Sequence, residues 1–86
     1  MLQLELYTTD HCSLCEEALD TLLGMPEVAG LSLSVIDIAD DDALVAQYGE
    51  KIPVLRAVNT ELSAPFDRRK ILAWLDKLPR AREQDQ

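Results

Sequence analysis

Cys12-Ser13-Leu14-Cys15 stands between two patterned stretches, and their order decides how the chain folds. Before it, Leu2, Leu4 and Leu6 alternate with Gln3, Glu5 and Tyr7, the period-two signature of a half-buried strand that ends near Thr8. After it, Ala18, Leu19, Leu22 and Leu23 fall three, four, seven and eight residues beyond Cys15, the spacing of one helical stripe. Thr9-Asp10-His11 is then the turn that carries a strand into a helix running from about Ser13 to Leu23, with Gly24 as its stop and Pro26 behind it. This places Cys12 at a helix N-terminus, where unpaired backbone N–H groups and the positive end of the helix dipole favour a negative sulfur. Cys15 belongs to the apolar stripe and is expected to face inward. An accessible sulfur with a sheltered one three residues on is the arrangement a dithiol cycle requires.

Further along, Leu31 to Ile38 alternates and then becomes almost continuously apolar, which predicts a second and more buried strand. Asp40-Asp41-Asp42 supplies an N-cap and an acidic first turn for a short helix with Leu44, Val45 and Tyr48 on one side and Gly49 at its end. The triple aspartate lacks the twelve-residue pattern of a calcium loop. Lys51 to Val58 reads as a third strand, Asn59-Thr60 as a hairpin turn, and Glu61 to Ala64 as a short last strand. Pro53 cannot donate to a ladder, so it belongs at the beginning of the third strand or on an edge, or its peptide bond is cis. Asp67 caps a final helix whose apolar face is Ile71, Trp74, Leu75 and Leu78, with Pro79 ending it. The order is βαβαββα. It predicts an α/β fold: a four-stranded mixed sheet, parallel at the start, closed by an antiparallel hairpin, with helices on both faces.

Composition sets bounds on function. Eighty-six residues make one small domain, taken as residues 1–79, with 80–86 as a polar tail. The net charge of −8 argues against nucleic acid, which requires clustered Lys and Arg. No stretch approaches the about 20 apolar residues of a membrane span, so no membrane partner is expected. The N-terminus alternates and carries an acid, unlike a signal peptide, which makes the cytoplasm the expected location. Structural disulfides do not persist in that compartment, which favours a catalytic role for the cysteines. A monomer is expected. With one histidine, His11, and no second cysteine pair, the chain offers too few sulfur and nitrogen ligands for a four-ligand zinc site of its own. Two other classes stay open: a metal or iron–sulfur carrier that bridges two subunits through the cysteines, and a binding module that keeps the fold without the chemistry.

The motif after the first strand, Ile52-Pro53 before the third and the element order together resemble the thioredoxin fold. In length the chain resembles a glutaredoxin, and more closely the small bacterial glutaredoxin-like domains; the likeness covers about residues 2 to 78. The resemblance implies a thiol–disulfide oxidoreductase in which Cys12 is the nucleophile and Cys15 the resolving thiol. It implies that Pro53 is the cis-proline facing the sulfurs, with Ile52 offering backbone hydrogen bonds to an extended peptide or to glutathione. It also matches Asp67-Arg68 to the region that holds the γ-glutamyl end of glutathione, while Lys51 reaches a carboxylate from the proline loop. The implied partners are a disulfide-containing protein or glutathione, the latter as reductant or co-substrate, and no cofactor or metal is called for. The chain departs from typical glutaredoxins in having Ser13 and Leu14 between the cysteines and Ser63-Ala64-Pro65-Phe66 where a glycine pair precedes the last helix.

Protonated His11 would stabilise the Cys12 thiolate, whereas Glu16 and Glu17 oppose it. The helix terminus contributes about 1 kcal/mol in favour. With the pair reduced, titration of thiolate absorbance should place the Cys12 midpoint below the about 8.5 of a free cysteine. A midpoint at or above that value would remove the activation by the helix terminus.

Overall fold

The computed structural model describes residues 3–78. The expected strand start at Leu2, the stop at Pro79 and the tail 80–86 lie outside the described residues. Four strands form one sheet: β1 (Gln3–Thr8), β2 (Ser32–Asp37), β3 (Val54–Ala57) and β4 (Thr60–Ser63), in the order β2-β1-β3-β4. β1 pairs parallel with β2 and antiparallel with β3, and β4 closes the sheet antiparallel to β3. The helices are α1 (Ser13–Leu23), α2 (Pro26–Ala29), α3 (Asp42–Tyr48) and α4 (Arg68–Asp76), with a 3-10 turn at Ile38–Asp40. This is the mixed α/β architecture expected, with one addition. Pro26 does more than follow the stop of α1: its fixed φ begins the short α2, whose Val28 joins the core.

Alternation along β1 and β3 sorts the core into two clusters. Leu4 and Leu6 of β1 and Leu55 and Ala57 of β3 pack with Leu22 of α1 and Ile71, Trp74 and Leu78 at the last helix. On the opposite face, Tyr7 and Val54 pack with Ile38 and with Tyr48 of α3. Helices therefore cover both faces of the sheet. Within α1, Cys15, Ala18 and Leu22 are buried as the stripe requires, but Leu23 is 68% exposed. At roughly 80° around the helix from Cys15, it lies beyond the covered arc. Val45 of α3 is likewise exposed, and Leu44 and Tyr48 carry that contact.

Two further expectations are corrected. β2 is not the more buried strand: none of its six residues is buried, and Val35 is 50% exposed. Its apolar run sits at the sheet edge because β3 takes the other side of β1, so only one side of β2 is paired. The hairpin turn is Val58-Asn59, one residue earlier than expected, because Ala57 pairs with Thr60. Both turn residues have positive φ, 49° and 68°, the geometry of a type I′ turn. Asparagine fits that region; a β-branched valine does not.

The helix ends follow their side chains. Asp41 accepts from the N–H groups of Ala43 and Leu44, and Asp67 from that of Lys70 at 2.9 Å, capping α3 and α4 as expected. At Gly49 a Cβ would stand 2.5 Å from the Val45 carbonyl, so only glycine closes α3 here. Trp74 donates its indole N–H to Thr60 Oγ1 at 3.1 Å, joining α4 to β4. Among the described residues, no helix is long and apolar enough to cross a membrane.

The pattern missed a polar cluster built around Tyr48. Its ring stacks on Tyr7 with centroids 4.6 Å apart, and its hydroxyl donates to Glu61 of β4. That hydrogen bond first, and burial second, hold the phenol above the ordinary tyrosine value. Arg56 lies directly opposite both Glu5 and Glu61 in the sheet register, and its hydrogen bond to Tyr7 favours the charged guanidinium.

Two tests follow from this packing. Replacing Val58 by Asn should raise stability by about 1 kcal/mol, because the left-handed backbone costs a β-branched residue roughly that much. An unchanged urea midpoint would show that Val58 is unstrained. The raised phenol makes the second test one of pH. Stability tied to neutral Tyr48 is complete below about pH 10, where unfolded tyrosine is still protonated, and is lost as pH climbs through the higher folded value. Urea unfolding between about pH 9 and 11.5 should show this loss in the wild type and a shallower one in Tyr48→Phe; identical slopes would contradict it.

Candidate active site

β1 ends at Thr8 and α1 begins at Ser13, so the chain reverses within four residues. His11 makes this possible by taking the left-handed conformation, φ 58°, which leaves its side chain exposed immediately before Cys12. Cys12 is extended, φ −114° and ψ 101°, and is the N-cap of α1. Its Sγ accepts from the Cys15 N–H at 3.2 Å, and its carbonyl accepts from the Glu16 N–H at 3.1 Å. The sulfur thus occupies the position a serine or aspartate oxygen usually takes at a helix start. In a reduced protein the same N–H would stabilise a thiolate there.

Cys12 is half-buried, whereas Cys15 is 3% exposed. The two Sγ atoms are joined in a disulfide, with the Cα atoms 5.2 Å apart. The difference in exposure comes from the stripe: Cys15 shares its face with Ala18 and Leu22. Leu14, between the cysteines, has the opposite environment and is 57% exposed.

A second loop carries the expected proline. The Ile52–Pro53 peptide bond is cis, and Pro53 is fully buried just before β3 begins. The backbone carbonyl of Tyr48 accepts from the N–H groups of Lys51 at 2.7 Å and Ile52 at 3.1 Å, anchoring this loop to the end of α3. The Pro53 carbonyl accepts from the Ala64 N–H at 3.2 Å and so ties the loop to the segment leading into α4. That segment contains a second cis bond, Ala64–Pro65. The only sign of it in the sequence is a proline between a strand and a helix, which does not distinguish cis from trans.

Between α1, the proline loop and the start of α4 lies a cleft of about 330 Å³. Leu14, Ala18, Pro53, Pro65 and Phe66 form its apolar surface, with Glu17, Asp67 and Arg68 at its polar part. A smaller cleft of about 180 Å³ lies on the other flank of the motif, where Asp10, His11 and Glu16 surround Cys15.

The structure therefore gathers Leu14, Pro53 and Asp67 around one cleft, which the motif borders through Leu14, while Cys15 lines the smaller cleft. It does not bring Lys51 there: Lys51 lines a separate cavity with Val45, Gln47 and Glu50 at the end of α3. Ile52 packs against the cluster of Tyr7 and Tyr48, and its N–H is already engaged by Tyr48. Of its two backbone groups, the carbonyl is the one with no bond to that anchor. Asp67 both caps α4 and lines the cleft, while Arg68 pairs with Glu27 at 3.6 Å. Among the described residues, no group of three or more His, Cys, Asp and Glu side chains is arranged to hold a metal ion.

The same fold recurs in known structures. Protein XcR50 from X. campestris is 41% identical, with a TM-score of 0.76 over 88% of this chain and 99% of that one. Protein Ne2328 from Nitrosomonas europaea is 33% identical, with a TM-score of 0.69, over 85% of this chain and 89% of that one. Thioredoxin 1 from Thermosipho africanus shares the fold at 16% identity, with a TM-score of 0.66, over 87% of this chain and 91% of that one. No curated protein matches the sequence. Residues 3–76 match the family model of the glutaredoxin-like domain (DUF836). A cysteine pair at the start of α1, a sheet of order β2-β1-β3-β4 and a match along nearly the whole chain agree, and the protein belongs to the glutaredoxin-like domain family, built on the thioredoxin fold.

Proposed function

We propose that the protein is a thiol–disulfide oxidoreductase that reduces protein or glutathione mixed disulfides through a Cys12/Cys15 dithiol cycle. The single observation that carries this reading is the pairing of a half-buried sulfur at the start of α1 with a sheltered one within bonding reach. The Cys12 thiolate attacks one sulfur of the substrate disulfide, that S–S bond breaks, and the other substrate sulfur leaves as a thiolate. Cys15 then gives up its proton and attacks Cys12 Sγ, releasing the second substrate thiolate and closing the internal bridge. Two electrons pass from the dithiol to the substrate, and solvent protons neutralise the departing thiolates. A thiol or dithiol reductant restores the starting state, and no metal or other cofactor takes part.

The other residues have supporting roles. Pro53 and Asp67 shape the cleft in which the substrate backbone lies. Ile52 offers its carbonyl to that backbone, since its N–H already donates to Tyr48. His11, exposed beside Cys12, stabilises the thiolate when protonated. In a protein with this chemistry the attacking sulfur is the one at the helix start, where the Cys15 N–H points at it.

Thiol trapping across a series of glutathione redox buffers tests the reading. A single reversible transition should appear, following the two-electron slope of about 30 mV per tenfold change. Cys15→Ser should halt at a mixed disulfide on Cys12, and Cys12→Ser should fall to background. A pair that never oxidises, or a Cys12→Ser variant as active as the wild type, would end the proposal.

A further inference from the structure

We infer that the disulfide attacked by Cys12 belongs to a protein segment carrying an apolar side chain and a basic residue beside its cysteine, and not to glutathione. This inference rests on the redox reading above and names the substrate class of that same site. It starts from what surrounds the sulfurs. The two clefts flanking the motif present four carboxylates, from Asp10, Glu16, Glu17 and Asp67, against the guanidinium of Arg68 and the imidazole of His11. That guanidinium faces Glu27 at 3.6 Å. Lys70 donates its Nζ to the carbonyl of Pro65, a residue of the larger cleft. Lys51 lines the separate cavity at the end of α3. The chain as a whole carries −8, so the distant field has the same sign as the local one.

Glutathione carries two carboxylates and one ammonium in each half, so its disulfide is an anion. It would bring like charge to a motif whose two described clefts hold more carboxylates than cations. The apolar part of the cleft points the same way. Leu14, Pro53, Pro65 and Phe66 line the floor and walls, and Leu14 is 57% exposed between the two cysteines. Glutathione has glycine and a γ-glutamyl group beside its cysteine and would leave this surface wet. A leucine-sized side chain next to the substrate cysteine would cover it. In the cycle the substrate S–S bond is broken by the two electrons of Cys12 and Cys15, and a cellular dithiol resupplies them. The cleft determines which disulfide reaches the sulfur.

Single-turnover oxidation of the reduced 86-residue chain, quenched with an alkylating reagent and read by mass, tests this. The probes are the disulfides of N-acetyl leucyl-cysteinyl-arginine amide, of its glutamate and glycine counterparts, of glutathione, and the neutral hydroxyethyl disulfide. At low salt the leucine–arginine disulfide should react about tenfold faster than glutathione disulfide and the glutamate peptide, with the glycine peptide between them. The advantage over the glutamate peptide should narrow at 1 M salt, where screening acts within about 3 Å. It should also narrow in Glu17→Gln and in Asp67→Asn, the latter an equally good helix cap. Glutathione disulfide or the glutamate peptide reacting as fast as the leucine–arginine disulfide would overturn the inference. So would an advantage that neither salt nor these variants change. If even hydroxyethyl disulfide leaves the dithiol reduced, the redox reading itself fails, an outcome separate from the other two.

Discussion

The site depends on a sulfur standing where a helix needs an acceptor. A helix start leaves N–H groups without intrahelical partners, and here Cys12 Sγ takes the bond from the Cys15 N–H. The same few residues meet two further demands. The reversal out of β1 requires a left-handed residue, supplied by His11, and the stripe of α1 requires an inward side chain at position 15. Capping fixes one sulfur at the rim, and burial fixes the other behind it. Neither sulfur can be moved by one position without losing either the cap or the core contact.

Holding a second loop opposite requires both faces of the sheet. Tyr48 does this with three different groups. Its ring stacks on Tyr7, its hydroxyl binds Glu61, and its carbonyl receives the Lys51 and Ile52 N–H groups. Pro53 is thereby positioned from the α3 side, although the cleft it lines opens toward α1 and α4. The Pro53 carbonyl continues the linkage to Ala64 and so to the segment before Asp67. The cleft is thus assembled by hydrogen bonds between backbone groups far apart in sequence, and no local pattern encodes these.

That distinction explains what could be read in the sequence. Elements governed by nearest neighbours are legible: the bounds of α1, a cap for α3 within Asp40-Asp41-Asp42, the cap Asp67, the inward Cys15 and the proline at the mouth of β3. Where three-dimensional neighbours decide, local pattern is not enough. The apolar run of β2 suggested burial, yet strand order leaves it at an edge. Asn59-Thr60 looked like the turn because asparagine favours positive φ, but cross-strand register moved the turn to Val58-Asn59. Lys51 sits two residues from Pro53, but the bend anchored on Tyr48 places it in another cavity.

Fold and selectivity are carried by different residues, which bears on how far the fold can inform function. Leu4, Leu6, Leu22, Leu55 and Ile71 are almost wholly buried and determine that the sheet and its helices form. Leu14, Glu17 and Asp67 face the cleft and contribute nothing to either buried cluster. A thioredoxin with 16% identity keeps the architecture, so the core demands apolar volume and pattern rather than particular residues. These three side chains are exposed and free of that demand, so charge and shape there can change without cost to the core. The motif therefore specifies the kind of bond the protein can exchange, while the side chains around it specify whose bond it is.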